Sequence, residues 1–420
     1  MFAKKLKTTL AMLAGILILS SFAYSGAPEG SVMKHEQAAS LIEDQVRELF
    51  QIVRGKRVGL VTNPTGVDGR MRMIADRLRE DPNTTVAAFF APEHGLRGNI
   101  QAGQKIADHL DPVTSIPVYS LYGQRPAPSP EALEGIDILV FDIQDVGARF
   151  YTFDWTMTYA MEAAARKKIP FVVFDRPNPI GGHVVEGAPN TFDCGLIGRL
   201  PAGHEFGVAT RHGLTIGELA QFVNGEWLGN AANLTVVKIR GWRRSQYFDE
   251  TGRLWVPPSP NMPTLDTAIV YPGMCVFEGT NLSEGRGTTR PFETIGAPFV
   301  QPPQLVSVLE RKQLPGVIFR PTFFTPTFSK WQGQLCGGVQ VHVINRETFR
   351  PIHTALVLLK TLIEQYPSQV EVTPFASKLM GIPDFHQRIG KESVEQIEAS
   401  WKSNLERYLE IRKKYLLYPE

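Results

Sequence analysis

The chain has 420 residues, which suffices for one large domain or two ordinary ones. Its 44 basic and 42 acidic side chains give a formal charge of +2, and no run of Lys or Arg forms the strongly basic face typical of nucleic-acid-binding proteins. Three widely spaced cysteines without CxxC spacing, Cys194, Cys275 and Cys336, exclude a disulfide scaffold and predict buried small side chains, with room for one disulfide at most.

Residues 1–27 predict a secretory signal peptide. Three lysines within the first seven residues precede an apolar run from Leu10 to Leu19, and small residues follow at Ser25 and Ala27. The apolar run is shorter than the ~20 residues that span a bilayer, which favours cleavage over a membrane anchor. Cleavage would change the formal charge from +2 to −1. We therefore expect an exported protein, periplasmic or extracellular, with no membrane anchor after cleavage.

Residues 28–240 predict a Rossmann-like α/β domain. Five short apolar runs rich in Val, Ile and Phe are typical of strands buried on both faces, and segments with helical periodicity lie between them. This alternation predicts an open, mainly parallel sheet with helices on both faces. The predicted strands are RVGLVT (57–62), VAAFFA (86–91), IPVYSLY (116–122), DILVFDI (137–143) and PFVVFD (170–175), with helices at MRMIADRLRE and TMTYAMEAAARKK.

The remaining residues predict a seam of loops followed by a smaller domain. Residues 241–300 show little periodicity, as in EGTNLSEGRGTTRPFE, and long loops inside compact domains are usually functional. Residues 301–420 predict a smaller α+β domain, with strands near GVIFRP and GGVQVHVIN and helices near QPPQLVSVLERK, 351–366 and 391–415. We therefore expect residues 241–300 to line a cleft between two domains.

Polar side chains follow four of the predicted strands. In an open α/β sheet, ligands bind at the carboxyl ends of the strands, so these side chains are candidates for one pocket. Two candidates, Asn63 and Asn178, precede prolines and could serve turns instead, whereas Arg176 follows Asp175 and could form a structural ion pair. The strand-end candidates are Asn63, Glu93, His94, Asp142, Asp145, Arg149, Tyr151, Arg176 and Asn178.

Structural roles compete for several of these candidates. One of Asp142 and Asp145 is expected to cap the next turn while the other faces the pocket, and the segment from Arg149 to Tyr151 could simply pack a loop. Glu93 and His94 are the hardest to explain structurally, because a cap needs only one short side chain. We therefore expect a functional role for this pair.

The seam contributes a second set of candidates. Carboxylate, amide and guanidinium groups alternate there with glycines, which let a backbone approach a ligand closely. Such a mixture suits a hydroxylated, partly anionic substrate, and the alternative is a solvated, flexible loop. The seam candidates are Asn261, Glu278, Asn281, Glu284, Arg286 and Arg290.

Several other chemistries lack their motifs. The chain contains no HExxH, no GxSxG, no GxxxxGK[ST] and no GxGxxG, which argues against a zinc protease, an α/β-hydrolase nucleophile and a nucleotide site. We therefore predict no metal and no cofactor. Carboxylates remain plentiful, and a pair of carboxyl groups is the usual equipment for breaking a glycosidic bond.

A series of blocks along nearly the whole mature chain resembles the bacterial exo-β-N-acetylmuramidase family of the NamZ type. The blocks, in order, are VGLVTNPTGVD, FFAPEHGLRG, FDIQDVGARFYTF, FDRPNPIGG, VEGAP, RHGLTIGELA, PSPNMPT and YPGMCVFEGTNLSEGRGTTRPFE. The resemblance implies a glycoside hydrolase of cell-wall recycling that releases the terminal non-reducing N-acetylmuramic acid (MurNAc) from peptidoglycan fragments. It also implies a site in the cleft between a Rossmann-like and a smaller domain, with the glutamate of the EHG motif, Glu93, as the catalytic residue.

Residue roles follow as expectations. Glu93 is expected to be the general acid that protonates the leaving sugar oxygen, and His94 to orient it or a substrate hydroxyl. The second anion is expected to be Glu278 or Glu284, then Asp142, unless the 2-acetamido group of the sugar acts as internal nucleophile. A bidentate guanidinium suits the lactyl carboxylate of MurNAc, and the candidates for it are Arg149, Arg176, Arg286 and Arg290.

Three rival functions remain open at this point. A non-catalytic muropeptide-binding protein of the cell envelope could use the same cleft. An amidase or esterase acting on wall fragments would require an activated nucleophile, and His94 and the cysteines have no recognisable setting for one. A metal-dependent hydrolase would lose activity with EDTA, whereas catalysis by carboxylates would not.

Overall fold

The computed structural model of the protein describes residues 29–104 and 107–420. The predicted signal peptide, residues 1–27, lies outside the described residues. Within the two described stretches, no helix combines the length and the apolar composition that crossing a bilayer requires.

The described chain begins with a long helix, α1 (Glu29–Val53). Its buried side chains Ile42, Val46, Leu49 and Val53 are three or four residues apart, so they form one apolar stripe. This stripe packs against one face of the main sheet, in a hydrophobic cluster shared with the first strands.

Seven strands form the main sheet. Their bounds are β1 (Arg57–Thr62), β2 (Thr85–Ala91), β3 (His109–Leu110), β4 (Pro117–Ser120), β5 (Ile138–Asp142), β6 (Phe171–Phe174) and β7 (Leu234–Val237). The spatial order is β3-β4-β2-β1-β5-β6-β7, and only β3 runs antiparallel to its neighbour. Without β3 this is the strand order of dinucleotide-binding Rossmann folds. The predicted Rossmann-like, mainly parallel sheet is confirmed.

Three helices accompany these strands, namely α2 (Ile74–Glu80), α3 (Thr152–Lys167) and α4 (Ile216–Phe222). Helix α3 buries eleven of its 16 residues, so it lies inside the core rather than on the surface. Because the core surrounds α3, its first turn has a fixed position at the carboxyl edge of the sheet.

The C-terminal part contains a second, smaller sheet, as predicted for an α+β region. Its three strands, β8 (Thr294–Ala297), β9 (Val317–Phe324) and β10 (Cys336–Val343), are antiparallel in the order β8-β10-β9. The helices are α5 (Leu265–Met274), α6 (Pro302–Arg311), α7 (Pro351–Gln365), α8 (Pro374–Met380), α9 (Phe385–Arg388), α10 (Val394–Ala399) and α11 (Lys402–Arg412).

Helix α5 lies within residues 241–300, where the sequence predicted only loops. Pro272 and Gly273 near its end are poor helix formers and conceal the helix in the sequence. Gly273 has a packing reason, because a Cβ there would lie 1.9 Å from the carbonyl oxygen of Pro351. The close approach of α5 and α7 therefore requires glycine.

The end of the chain returns to the first domain. The Tyr408 hydroxyl donates to the carbonyl of His212 at 3.0 Å, and the amide of Arg244 donates to the carbonyl of Pro419 at 2.9 Å. One hydrophobic cluster accordingly runs from the main sheet to α11. The two parts of the molecule share a core.

The three cysteines are all free. Cys275 and Cys336 are buried, as expected for small apolar side chains, and Cys194 is partly exposed. No disulfide links them.

Candidate active site

Glu93 lies on a tight turn at the carboxyl end of β2. The strand ends at Ala91, and the amide of Gly95 donates to the carbonyl of Pro92 at 3.0 Å. His94 occupies the third position of this turn with φ 72°, where Gly or Asn is usual. A left-handed conformation at histidine costs about 1–3 kcal/mol. The surrounding structure must therefore hold the turn, which fixes the direction in which Glu93 projects.

Both carboxylate oxygens of Glu93 have protein partners. Oε1 accepts from the backbone amide of Gly103 at 3.1 Å, and Oε2 accepts from the Thr152 hydroxyl at 3.0 Å. Because an amide N–H can only donate, a protonated Glu93 would carry its hydrogen on Oε2. The Thr152 hydroxyl can donate or accept, so the arrangement accommodates both protonation states.

A cleft of about 640 Å³ opens in front of Glu93. It lies where the loops after β2 and β4 and the start of α3 meet the seam and the loop between β9 and β10. Four of the residues predicted from the sequence line it, namely Glu93, Asn261, Glu278 and Arg286.

Arg286 connects the two seam glutamates. Its Nε and Nη2 donate to Oε1 of Glu278 at 3.1 and 2.5 Å, and its Nε lies 3.5 Å from Oε1 of Glu284. Glu284 is 2% exposed and also accepts from Nζ of Lys330 at 2.8 Å. Burial raises the pKa of Glu278, and the Arg286 guanidinium opposes this rise. Glu278 thus reaches the cleft, whereas Glu284 lies behind it in an ion-pair network.

Tyr122 also lines the cleft, although it was not among the residues predicted from the sequence. Tyr122 ends the apolar run 116–122 that was predicted as a strand, whereas the observed β4 ends at Ser120 and leaves Tyr122 beyond it. Burial and the neighbouring Glu93 and Glu278 carboxylates raise the pKa of Tyr122. Its phenol therefore stays protonated and can donate a hydrogen bond inside the cleft.

Aromatic rings form the floor of the cleft. The Tyr271 ring packs edge to face against Phe150, Tyr151 and Phe292, with centroid distances of 5.2, 5.8 and 4.7 Å. Phe150 and Tyr271 line the cleft, whereas the predicted substrate ligand Tyr151 lies below them. Tyr271 belongs to α5, the helix hidden by its Pro-Gly pair, so no sequence signal placed it here.

The His94 ring lies beside the cleft without lining it. The ring is buried, and Nδ1 donates to the carbonyl of Ile100 at 2.7 Å. Burial lowers the pKa of His94, and the charge of Glu93 opposes this. A neutral His94 therefore anchors the loop that continues to Gly103, whose amide contacts Glu93.

Asp142 and Arg176 pair with each other away from the cleft. The Arg176 Nε donates to Oδ1 of Asp142 at 2.7 Å, and Nη2 donates to the carbonyl of Val67 at 3.2 Å. Burial raises the pKa of Asp142, and the Arg176 guanidinium opposes this. Both side chains are buried, so Arg176 forms a structural ion pair, but with Asp142 instead of the predicted partner Asp175.

The two Asn-Pro candidates make structural contacts. The Asn63 Oδ1 accepts from the amide and the hydroxyl of Thr65 at 3.0 and 2.5 Å. Asn178 accepts from the amide of Ile180 at 3.2 Å and donates to the carbonyl of Leu214 at 2.9 Å. The first three bonds hold turns, the last ties the Asn178 turn to a distant segment, and neither residue lines the cleft.

Three further candidates also lie outside the cleft. Arg149 is fully buried, donates to two backbone carbonyls at 2.8 and 2.6 Å, and burial lowers its pKa to about 10. Arg290 contacts Glu293 at 3.2 Å. Asn281 donates to the carbonyl of Gln369 at 2.7 Å. Their recorded contacts are structural.

Asp145 forms a buried cluster with Asp154 and His212, and ligand atoms of the three lie within 4.8 Å of one another. The Leu214 amide donates to Nδ1 of His212 at 3.1 Å, so the neutral ring carries its hydrogen on Nε2. Nε2 lies 3.5 Å from an oxygen of each aspartate and presents a hydrogen to them instead of a lone pair. Burial and the charge of Asp145 raise the pKa of Asp154 well above its ordinary value. The cluster therefore fits a shared proton better than a metal ion.

Comparison with known proteins identifies the family of this chain. Two family models, described as the N-terminal and C-terminal parts of exo-beta-N-acetylmuramidase NamZ, match residues 58–266 and 269–418. The chain belongs to the exo-β-N-acetylmuramidase NamZ family. The resemblance seen in the sequence is thereby confirmed.

Proteins similar to this chain include one that is named for its activity and two with crystal structures. The chain is 44% identical over 419 residues to the peptidoglycan beta-N-acetylmuramidase NamZ of Bacillus subtilis (strain 168), covering 98% of this chain and 100% of that protein. Crystal structures of two DUF1343 family proteins from Bacteroides fragilis NCTC 9343 superpose with TM-scores of 0.81 and 0.69 at 35% and 32% identity. Each match covers 90% of this chain and 98% of the other. The fold is therefore a family property.

Proposed function

We propose that this protein is an exo-β-N-acetylmuramidase, a glycoside hydrolase that releases terminal non-reducing MurNAc from peptidoglycan fragments. The observation that carries the proposal is the position of the EHG glutamate, Glu93, in a cleft that also contains Glu278. The 44% sequence identity to a peptidoglycan beta-N-acetylmuramidase, which extends over nearly the whole chain, favours catalysis over the rival function of non-catalytic muropeptide binding.

Glu93 is the general acid in this proposal. The acid proton on Oε2 faces the Thr152 hydroxyl, while the Gly103 amide holds Oε1. A leaving sugar oxygen that enters between Glu93 and Thr152 would receive the proton, and the Thr152 hydroxyl would then donate back to the new carboxylate. A water molecule then adds its oxygen to the anomeric carbon, and the proton that it releases restores the acid form of Glu93.

Glu278 is the second carboxylate in this proposal. It lines the cleft and is bonded to Arg286, whose charge opposes the rise that burial causes in the pKa of Glu278. An anion there would stabilise the positive charge that develops on the sugar ring or would orient the 2-acetamido group. Glu284 supports it from behind through Arg286, and Asp142 lies outside the cleft.

Arg286 is the proposed ligand of the lactyl carboxylate. Of the four arginines predicted for this role, it alone lines the cleft. Its Nε and Nη2 contact Glu278, and Nη1 makes no recorded hydrogen bond with the described residues. That nitrogen could donate to a substrate carboxylate while the other two hold Glu278.

The decisive experiment uses two disaccharides of MurNAc and N-acetylglucosamine (GlcNAc). Purified protein is incubated with MurNAc-GlcNAc, and the products are identified by mass spectrometry, with the anomer of the released sugar read by NMR. We expect MurNAc and GlcNAc as products. The reversed disaccharide GlcNAc-MurNAc is the matched control and should stay intact, because its non-reducing end is GlcNAc. Binding of MurNAc-GlcNAc without release would instead identify a binding protein.

We also propose that the chain is exported to the periplasm or the cell exterior and acts there in cell-wall recycling. The support is the short basic segment followed by the apolar run from Leu10 to Leu19. N-terminal sequencing of the protein from fractionated cells should give a mature chain that begins near residue 28. An intact N-terminus in the cytoplasmic fraction would contradict export.

A further inference from the structure

The cleft has a closed floor and an open rim. The floor residues Phe150, Tyr271 and Cys275 are 3%, 6% and 1% exposed, whereas Phe328 and Phe375 on the rim are 38% and 39% exposed. Two large aromatic rings left in solvent at the entrance of a cleft are a feature that core packing does not explain.

The segment that carries Phe328 is held rigidly. The amide and hydroxyl of Thr327 both donate to the carbonyl of Gly287 at 2.9 Å, and the Trp331 indole donates to the carbonyl of Asn281 at 2.6 Å. Two non-glycine residues of this loop, Ser329 and Trp331, have φ values of 69° and 58°. Such strain persists only where surrounding contacts enforce it, and it concentrates at functional sites.

Phe375 is fixed to the same seam from another direction. It lies in the first turn of α8, and the amide of Thr373, the residue before α8, donates to the carbonyl of Gly279 at 2.8 Å. A Cβ at Gly279 would lie 2.4 Å from the amide nitrogen of Ala376, so α8 rests directly on the backbone next to Glu278. Both rings are thus positioned relative to the carboxylate.

Another part of the rim is polar. Gln101 and Gln104, from the loop that supplies the Gly103 amide to Glu93, line the cleft and are exposed. An amide side chain can donate to and accept from hydroxyl groups, while an aromatic ring offers an apolar face. The entrance is therefore suited to a ligand that is apolar on one side and hydroxylated along its edge.

We propose that Phe328 and Phe375 form the binding platform for the leaving sugar, a pyranose ring that stacks its C–H face on the two rings and presents its hydroxyls to Gln101 and Gln104. This inference rests on the proposed function. Because an exo-acting site encloses the terminal MurNAc, the next sugar, across the bond that breaks, lies in the exposed part of the cleft that Phe328 and Phe375 line. Two aromatic contacts there would make cleavage depend on a ring in the leaving group.

The test compares two substrates that share MurNAc and differ in the leaving group. MurNAc-GlcNAc has a sugar to stack, and the methyl β-glycoside of MurNAc has none. We expect Phe328→Ala and Phe375→Ala each to lower kcat/KM for the disaccharide about tenfold and to leave kcat/KM for the methyl glycoside unchanged. Product inhibition by GlcNAc should weaken in parallel.

Three further variants complete the design. Phe323→Ala is the matched control, because Phe323 is 64% exposed in β9, the strand before the loop of Phe328, and does not line the cleft. This variant should behave as wild type. Phe328→Leu keeps an apolar side chain without a ring and replaces the alanine variant if that variant does not fold. Phe328→Tyr keeps a ring, so it should retain the wild-type ratio of kcat/KM for the disaccharide to kcat/KM for the methyl glycoside. Equal effects on both substrates, or none, in folded variants would overturn the platform alone. A wild-type protein that cleaves neither substrate would overturn the proposed function and the platform with it.

Discussion

Two neighbouring regions at the carboxyl edge of the same sheet have opposite properties. Between β1 and β5, where the strand order reverses and Rossmann folds usually bind ligands, the space is filled by the Asp142–Arg176 pair, and a cavity of only about 30 Å³ remains beside it. In front of β2 and β4 the cleft holds about 640 Å³. The first volume accommodates about one water molecule, and the second accommodates a sugar.

The difference lies in the partners that each acid has. Asp142 is bonded to an arginine of the next strand end, and that arginine has a backbone carbonyl as well. Among the described residues, Glu93 accepts from an amide and a hydroxyl and has the Tyr122 phenol beside it, and these neutral groups hold it without neutralising its charge. A strand-end carboxylate paired to a cation serves the fold, whereas one held by neutral donors beside open space is available for chemistry.

The largest expected effect is on catalysis at the open region, the cleft in front of β2 and β4. Glu93→Gln preserves the shape of the side chain and removes the transferable proton, so kcat on MurNAc-GlcNAc should fall about 10³-fold. The melting temperature should change little, because Gln can still accept from the Gly103 amide and contact Thr152. Wild-type turnover by this variant would remove Glu93 from the mechanism.

The region filled by the Asp142–Arg176 pair should show the reverse, a large effect on stability and none on catalysis. Asp142→Asn leaves a buried Arg176 without its counter-charge, which should cost about 3–5 kcal/mol of unfolding free energy. The remaining folded protein should keep the wild-type kcat/KM, because Asp142 lies outside the cleft. Denaturant unfolding together with kinetics on the folded fraction checks both parts, and a stable but inactive variant would contradict the comparison.

A smaller effect on catalysis is expected for Arg286, which contacts both Glu278 and Glu284. Arg286→Lys keeps the charge and loses the fork that can hold Glu278 and a substrate carboxylate together. KM for muramides should rise about tenfold, and the ratio of kcat/KM for muramides to kcat/KM for the matching glucosaminides should fall. Arg290→Lys is the control, since Arg290 lies outside the cleft. An unaltered ratio for Arg286→Lys would defeat this account of lactyl recognition.

The smallest expected effect concerns pH and a strand end far from the cleft. Burial, reinforced by Glu218, raises the pKa of Asp175 from 3.8 to about 7. The folded state therefore holds a proton that the unfolded state releases between pH 4 and 7, so this contribution to stability is lost as the pH rises through that window. The advantage of wild type over Asp175→Asn in melting temperature should shrink by roughly 2 °C or more from pH 4 to pH 7. A pH-independent difference would mean that Asp175 keeps its ordinary pKa.

The sequence predicted the main sheet because its inner strands are buried on both faces. β1, β2, β4, β5 and β6 all coincide with continuous apolar runs. The edge strands were missed, since β3 has only two residues, both exposed, and β7 has one buried residue. Helix α5 was missed because Pro272 and Gly273 resemble a loop, and the contact with Pro351 that selects glycine is about 80 residues away in the chain.

The candidate site was predictable in part for a similar reason. Glu93 and His94 are unusual within their own segment, so local reasoning found them. Arg149 also follows a predicted strand, where ligand-binding residues are expected, so its sequence position did not reveal its structural role. Its carbonyl partners, Ile197 and Leu379, come from distant segments. Phe328 and Phe375 have no local signal, because only tertiary structure brings them to the cleft.

The contacts of the last residues with the first domain have a consequence for biosynthesis. The amide of Leu417 donates to Glu218 at 2.7 Å, the Tyr418 hydroxyl donates to Asp175, and Pro419 accepts from Arg244. A nascent chain cannot make these bonds until residues 417–419 have been synthesised, so the Rossmann-like half completes its contacts only after the smaller C-terminal part has been made.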